Sequence, residues 1–175
     1  MEWRDLIIDG YGRVLEILDP ALAGMTKADL DKQPRGDCNS MGWIAWHLTR
    51  GLDSQIAALM GREQLWTGDK WHVKFKRPVD ADDTGFGHTP EEVAAFRSPG
   101  PRTLLAYYRA VLDRTTAYLK TLSPEDLDRK LDEPWFKPVP TVGVRLVSIM
   151  ADCLGHAGEV GYVRGLLKGK GWLDA

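Results

Sequence analysis

The sequence predicts an all-α protein built as a four-helix bundle, with a long crossover between the second and third helices. Four segments repeat their apolar residues at three- and four-residue intervals, the period of an amphipathic helix, whereas strand patterns are weak throughout. Prolines and glycines crowd into residues 61–101 and 134–143, which leaves the periodic segments free to form long helices. One long crossover and three shorter connections suit this architecture.

The first helix is predicted from about Trp3 to Met25, with Pro20 expected to kink it or to end its regular part. The segment from Thr26 to Asp29 then fits a capping pattern, with Asp in place of the usual Glu. A second helix begins at Asn39 or Ser40, either of which is a good N-cap, and extends to about Met60. These two helices form the first half of the predicted bundle.

The third helix is predicted from Thr103 to Leu122 and the fourth from Thr141 to about Lys168. Between the second and third helices lies a long connection, roughly residues 62–100, rich in Trp, Gly, Asp and Pro. A short helix is expected there at Pro90–Phe96, because Thr89 can cap it and a proline suits its first turn. Loops of this length inside a domain are uncommon and often functional.

Size and charge exclude several classes of protein. A chain of 175 residues suits one domain, predicted over residues 1–175. Lys and Arg total 23 against 25 for Asp and Glu, without the basic excess of nucleic-acid-binding proteins. No apolar run reaches the roughly 18 residues of a membrane span. Two cysteines, Cys38 and Cys153, make no disulfide framework, so we expect a cytoplasmic protein without a nucleic-acid or membrane partner.

A candidate metal site involves the second and fourth helices. Asp152 and His156 are four residues apart on the fourth helix, so they project from one face, close to its core-facing residues. His47 lies at the edge of the apolar face of the second helix and can join them if these two helices are neighbours. Two imidazoles and one carboxylate leave open positions for water or substrate and suit Zn²⁺, Ni²⁺ or Fe²⁺.

The same residues also allow a purely structural interpretation. Asp152 can pair with Arg145, and His156 can be a core histidine that binds no ligand. An Asp and a His four apart on an amphipathic helix are a weak signal on their own. Cys153 points into the apolar face and is interpreted as a small core residue rather than a ligand.

The other two histidines, His72 and His88, belong to the long connection. If the connection is a lid over the metal, His72 or Trp71 would face the substrate. We favour the alternative, in which both histidines are surface-loop residues, because connections of this kind run over the protein surface.

Two tryptophans lie on the side of the second helix that should face solvent. Trp43 and Trp46 project opposite the apolar face, together with Arg50 and Asp53. Large aromatic rings on such a side indicate that something covers it. Either the long connection folds over it, or a second subunit does.

Three segments, at residues 40–53, 85–96 and 156–165, carry a resemblance to the DinB/YfiT-like superfamily. The run SMGWIAWHLTRGLD at residues 40–53 resembles its second-helix motif, and HAGEVGYVRG at 156–165 resembles its last-helix motif. The run GFGHTPEEVAAF at 85–96 resembles the actinobacterial branch of the family. Each motif is modest alone, but their order and spacing are specific and cover the chain from about residue 5 to 168.

The resemblance implies a four-helix bundle in which three histidines bind a divalent metal ion. One histidine lies on the second helix and two lie four residues apart on the last, so His47 and His156 match two of the positions. Asp152 replaces the third; its carboxylate can still bind the ion, or the site is weakened or lost. Glu159, where the family often has Gln, is expected to orient His156 as a supporting residue of the catalytic centre.

Known enzymes of the family use a low-molecular-weight thiol. One is a mycothiol-dependent maleylpyruvate isomerase, whose N-terminal domain is related, and others are thiol S-transferases. The resemblance thus implies a metal-dependent thiol S-transferase or hydrolase that acts on a small electrophilic molecule. The alternative is a non-catalytic bundle that binds a metal or a small molecule at a degenerate site. Family members often form dimers, which favours a homodimer through the Trp43/Trp46 face.

Overall fold

Four long helices carry the fold, and shorter helices lie in the connections between them. The computed structural model describes residues 1–169, so the last part of the predicted domain, residues 170–175, lies outside the described chain. A 3₁₀ turn occupies Glu125–Asp128. The α-helices of the described chain are α1 Trp3–Leu22, α2 Lys27–Asp31, α3 Met41–Met60, α4 Leu65–Gly68, α5 Trp71–Phe75, α6 Pro90–Ala95, α7 Pro101–Thr121 and α8 Val142–Lys168.

The four long helices pack as a closed ring of neighbours. Helix α1 contacts α7 and α8, and α3 contacts the same two helices, so α1 and α3 lie diagonally across the bundle. The predicted all-α four-helix bundle is confirmed, with the long crossover between α3 and α7, its second and third long helices. Because α3 and α8 are neighbours, side chains from the two helices can reach a shared point.

Local sequence signals explain where the long helices begin and end. The Ser40 hydroxyl accepts a hydrogen bond from the amide of Trp43 and caps α3, and Gly61 ends that helix in the left-handed conformation. Helix α1 continues through Pro20 but ends at Leu22, earlier than the predicted Met25. Helix α7 begins at Pro101. Proline suits this first position because an amide hydrogen there would have no partner within the helix.

Tyrosine side chains tie three of the helices together through the core. The Tyr11 hydroxyl of α1 donates to the carbonyl of Leu146 in α8 at 3.0 Å. The Tyr108 hydroxyl of α7 donates to the carbonyl of Tyr11 at 2.8 Å. Both rings are fully buried, so their polar atoms need these partners to avoid the cost of desolvation. Cys153 is also fully buried, as predicted for a small core residue.

The long connection covers the outer side of α3. The cover of Trp43 and Trp46 therefore comes from the same chain, whereas we had favoured a second subunit. Trp43 is 5% exposed and Trp46 is 0% exposed, and Arg50 and Asp53 are buried beside them. Their contacts include His88 and Phe96 from the connection. The chain itself buries this face, so Trp43 and Trp46 expose almost no surface to a second subunit. Homodimer formation itself stays a prediction.

Within residues 1–169, no helix is both long enough and apolar enough to cross a membrane.

Candidate functional site

The imidazoles of His47 and His156 meet where α3 packs against α8. Their ring centroids are 5.0 Å apart, with the rings at 77° to each other. His47 comes from the middle of α3 and His156 from the second half of α8. The structure therefore brings together two residues that lie more than a hundred positions apart in the sequence.

The ring of His47 is held from two sides. Its Nδ1 lies 2.6 Å from the carbonyl oxygen of Thr84, and the ring stacks on Trp43 with centroids 4.8 Å apart. A carbonyl can only accept, so Nδ1 carries the proton and Nε2 keeps its lone pair. Burial lowers the pKa of His47 below its ordinary value, against the opposing effect of the Thr84 carbonyl. A neutral imidazole with a free Nε2 is the form that binds metal ions.

His156 lies between two carboxylates of its own helix. Its Nδ1 is 2.7 Å from Oε2 of Glu159, the residue predicted to orient it. On the other side of the ring, its Nε2 is 3.6 Å from Oδ1 of Asp152. This arrangement leaves Nε2 and the Asp152 carboxylate next to each other.

Asp152 does not form the ion pair that the structural interpretation required. The guanidinium of Arg145 instead hydrogen-bonds to Glu133 and Gln55. The Asp152 side chain is 56% exposed, so it can turn without disturbing the core. The alternative pairing of Asp152 with Arg145 is wrong.

The donor set suits a divalent ion of intermediate softness. Two ligand atoms held at about 2.0–2.1 Å around a tetrahedral ion lie roughly 3.4 Å apart, close to the separation of the His156 nitrogen and the Asp152 oxygen. Both histidines have Nδ1 beside a hydrogen-bond acceptor, the usual arrangement of metal-binding histidines. As placed, however, no three His, Cys, Asp or Glu side chains in residues 1–169 are spaced to hold an ion. A turn of the exposed Asp152 side chain would be needed.

Cys153 is excluded as a ligand despite its place beside Asp152. Its side chain is fully buried, and burial raises the pKa of its thiol well above the usual range. A thiol that stays protonated does not bind a metal ion.

A cleft of about 750 Å³ opens beside the histidines. Its lining includes His47 and Asp152, and the connection and the segment before α8 contribute Phe86 and Phe136. Both phenylalanines are at least half exposed. A cleft of this size, with aromatic walls and a few polar groups, fits a small molecule.

Of the two histidines in the connection, His88 differs from its predicted place. The His88 side chain is only 15% exposed and hydrogen-bonds to Asp83 and Trp43, so its assignment to the surface is wrong. His72 is half-buried, its ring 6.3 Å from that of Trp66, and it does not line the cleft.

Thr84 is the site residue that the sequence reasoning missed. It acts through its backbone carbonyl, and a carbonyl leaves no signature in the side-chain pattern. The available signal was the pair of glycines, Gly85 and Gly87, in a connection whose length is typical of functional loops. Both adopt positive φ and shape the loop that contains the carbonyl.

Comparison with known proteins supports the fold and the family. The model of the DinB superfamily matches residues 11–160. A crystal structure of a conserved protein from Enterococcus faecalis is similar at 34% sequence identity and a TM-score of 0.89, covering 97% of this chain and 99% of the other. No curated protein matches the chain. The match over most of its length shows that the chain belongs to the DinB superfamily.

Proposed function

We propose that the chain is a divalent-metal-dependent enzyme acting on a small electrophilic molecule, as a thiol S-transferase or a hydrolase. The observation that carries this proposal is the meeting of His47 and His156 beside the cleft. Each has Nδ1 beside a hydrogen-bond acceptor, and within residues 1–169 neither Nε2 makes a hydrogen bond. His47, Asp152 and His156 would hold Zn²⁺, Ni²⁺ or Fe²⁺. When bound, such an ion would hold a thiol as its thiolate, or lower the pKa of a bound water molecule to about 7.

The chain's own residues orient the ion's ligands and the substrate. The carboxylate of Glu159 accepts from Nδ1 of His156 and supports its ring, and the Thr84 carbonyl does the same for His47. Phe86 and Phe136 offer apolar surface at the cleft to the non-reacting part of a substrate. Cys153 is buried in the core and does not line the cleft, so an S-transfer reaction would use a small thiol as its nucleophile, and hydrolysis would use water.

A non-catalytic bundle with a degenerate site is the second candidate function. The spacing of the three side chains favours it, because as placed they do not surround an ion in the described part of the chain. Under this hypothesis the polar contacts of His156 with Asp152 and Glu159 are structural, and the cleft stores or carries a small molecule. The content of bound metal separates the two hypotheses.

The test is to measure divalent ions bound per chain after purification without a metal-binding tag. We expect close to one ion per chain, and a rise in melting temperature on adding Zn²⁺ or Ni²⁺. His156→Ala should lose the ion and keep its helical circular dichroism. His72→Ala is the matched control, since it removes a histidine outside the cleft and should keep the ion. Fewer than about 0.1 ions per chain, with no stabilisation by added metal, would contradict the proposal.

The metal-loaded protein then distinguishes the two reactions. A small thiol incubated with an alkylating electrophile should be consumed faster in the presence of an S-transferase. A hydrolase should instead cleave an activated ester without any thiol. Asp152→Ala should abolish either activity, and no rate above that of free Zn²⁺ in both assays would favour the non-catalytic bundle.

A further inference from the structure

Residues 81–88 run along the outer side of α3 and present backbone to His47. The carbonyl of Thr84, in the middle of this segment, lies 2.6 Å from Nδ1 of His47. The position of that carbonyl decides which nitrogen of the ring carries the proton. The contacts that fix residues 81–88 therefore bear directly on His47.

A buried arginine anchors the backbone of this segment. The Arg50 side chain is fully buried and donates to the carbonyl of Ala81 at 2.8 Å and to that of Asp83 at 3.1 Å. Burying a guanidinium is costly unless its donors are satisfied. Because Arg50 binds the carbonyls of both Ala81 and Asp83, it fixes the backbone immediately before Thr84.

A second anchor joins the side chains of the same segment to α3. The indole of Trp43 donates to Nδ1 of His88 at 3.2 Å, and Nε2 of His88 lies 3.0 Å from Oδ1 of Asp83. Arg77 donates to Oδ2 of the same carboxylate at 2.6 Å. An indole can only donate, so Nδ1 of His88 accepts and its proton lies on Nε2. His88 and His47 are thus held in opposite tautomers.

Gly85 allows the segment to approach the site closely. Its φ is +88°, and a Cβ atom there would lie 2.8 Å from the Trp46 ring and 3.1 Å from Nδ1 of His47. Gly87 has a similar φ of +80° but open space around its Cβ position. Both glycines require a positive φ, but only at Gly85 would a side chain collide with residues of α3.

We infer that residues 81–88 form a positioning loop that fixes His47 as the Nδ1–H tautomer. Arg50 and Asp83 are positioning residues: Arg50 holds the backbone before Thr84, and Asp83 ties the loop to α3 through His88. The Nε2 of His47 is thereby kept unprotonated before any ligand arrives. The role of the loop in metal binding rests on the proposed function, whereas the tautomer is a property of the metal-free protein.

The experiment is long-range ¹H–¹⁵N spectroscopy of the metal-free protein labelled on its histidines. His47 should be protonated at Nδ1 and His88 at Nε2, with the signals assigned by their loss in His47→Gln and His88→Gln. A wild-type spectrum in which His47 is protonated at Nε2, or exchanges between tautomers, overturns the inference. This measurement does not depend on whether Gly85→Ala folds.

Two glycine variants then test whether the loop sets the tautomer. Gly85→Ala should release His47 into a mixture of tautomers and weaken Zn²⁺ binding by at least about tenfold. Gly87→Ala imposes the same backbone strain without the clash and should keep the wild-type tautomer and affinity. An unchanged His47 tautomer in folded Gly85→Ala overturns the inference. If the tautomer is as expected but Zn²⁺ does not bind the wild type, the proposed function fails and the inference stands.

Discussion

At the scale of single residues, the proposed metal chemistry depends on Asp152, the carboxylate beside Nε2 of His156. Its oxygen lies 3.6 Å from that nitrogen, and its side chain is mostly exposed. An aspartate here gives the proposed site one hard oxygen ligand and a negative charge. The neighbouring Arg145 does not neutralise this charge, because it is bound to Glu133 and Gln55.

Replacing this carboxylate by imidazole tests its role. We expect Asp152→His to keep or tighten the binding of Zn²⁺ and Ni²⁺, because imidazole suits these borderline ions. Isothermal titration of metal-free wild type and variant gives the two affinities. Loss of binding in Asp152→His, alongside binding by the wild type, would mean that the local geometry requires a carboxylate.

The burial of His47 predicts a pH dependence of stability. Its pKa is lowered from the ordinary 6.5, chiefly by burial, so the unfolded chain takes up this proton more readily than the folded one. The free energy of unfolding should fall as pH decreases from 6.5 towards the lowered pKa of the folded state. Urea unfolding of the metal-free protein at several pH values measures this slope. His47→Gln should have a shallower slope in that window, and an equal slope would contradict the assignment.

Residue types and spacing revealed only part of this site. His47, Asp152 and His156 could be proposed because titratable side chains stood beside the apolar faces of helices. The role of Thr84 could not, because any residue supplies a carbonyl. The burial of His88 was missed as well, because a loop with no periodic pattern brings it against Trp43 of α3 and Asp83 of the connection.

At the scale of elements, a buried polar cluster fastens the connection between α3 and α7. Asp53 is 1% exposed and accepts from the amides of Leu65 and Trp66 and from the hydroxyl of Tyr107. Two guanidinium groups lie beside this carboxylate, Arg50 at 3.7 Å and Arg114 at 3.8 Å. The cluster joins α3, α4 and α7 at one point.

Removal of this carboxylate should loosen the connection and destabilise the fold. Asp53→Ala leaves the buried guanidinium of Arg50 without its carboxylate partner, a change that costs about 3–5 kcal/mol. Asp19→Ala is the control: its ion pair with Arg109 is exposed on both sides and contributes less than about 1 kcal/mol. Chemical denaturation gives both values. A loss below about 1 kcal/mol for Asp53→Ala would show that water replaces the cluster.

The long helices could be predicted from the sequence, whereas two of the short ones could not. The four long helices appear within three residues of their expected ends, because each repeats its apolar period several times. Helices α4 and α5 were missed, since four or five residues do not complete a recognisable period. The tryptophans of α3 correctly indicated a covered face, but aromatic residues alone do not say whether the cover is intramolecular.

At the scale of the whole molecule, the residues of the candidate site meet because α3 and α8 are neighbours in the ring of helices. Periodicity identifies the apolar face of each helix but not the helix that it contacts. The sequence therefore predicts the site only on the condition that these two helices are neighbours. The similarity to the Enterococcus faecalis protein extends over almost all of both chains, so the similarity includes the whole arrangement. Homodimer formation stays a prediction, and it requires a surface other than Trp43 and Trp46.

The most direct measurement is anomalous diffraction from crystals grown with Zn²⁺. The account predicts one strong peak between α3 and α8, within about 2.0–2.2 Å of Nε2 of His47, a carboxylate oxygen of Asp152 and Nε2 of His156. No peak at this position in crystals that show Zn²⁺ elsewhere, or a peak that includes only one of the three residues, would contradict the account.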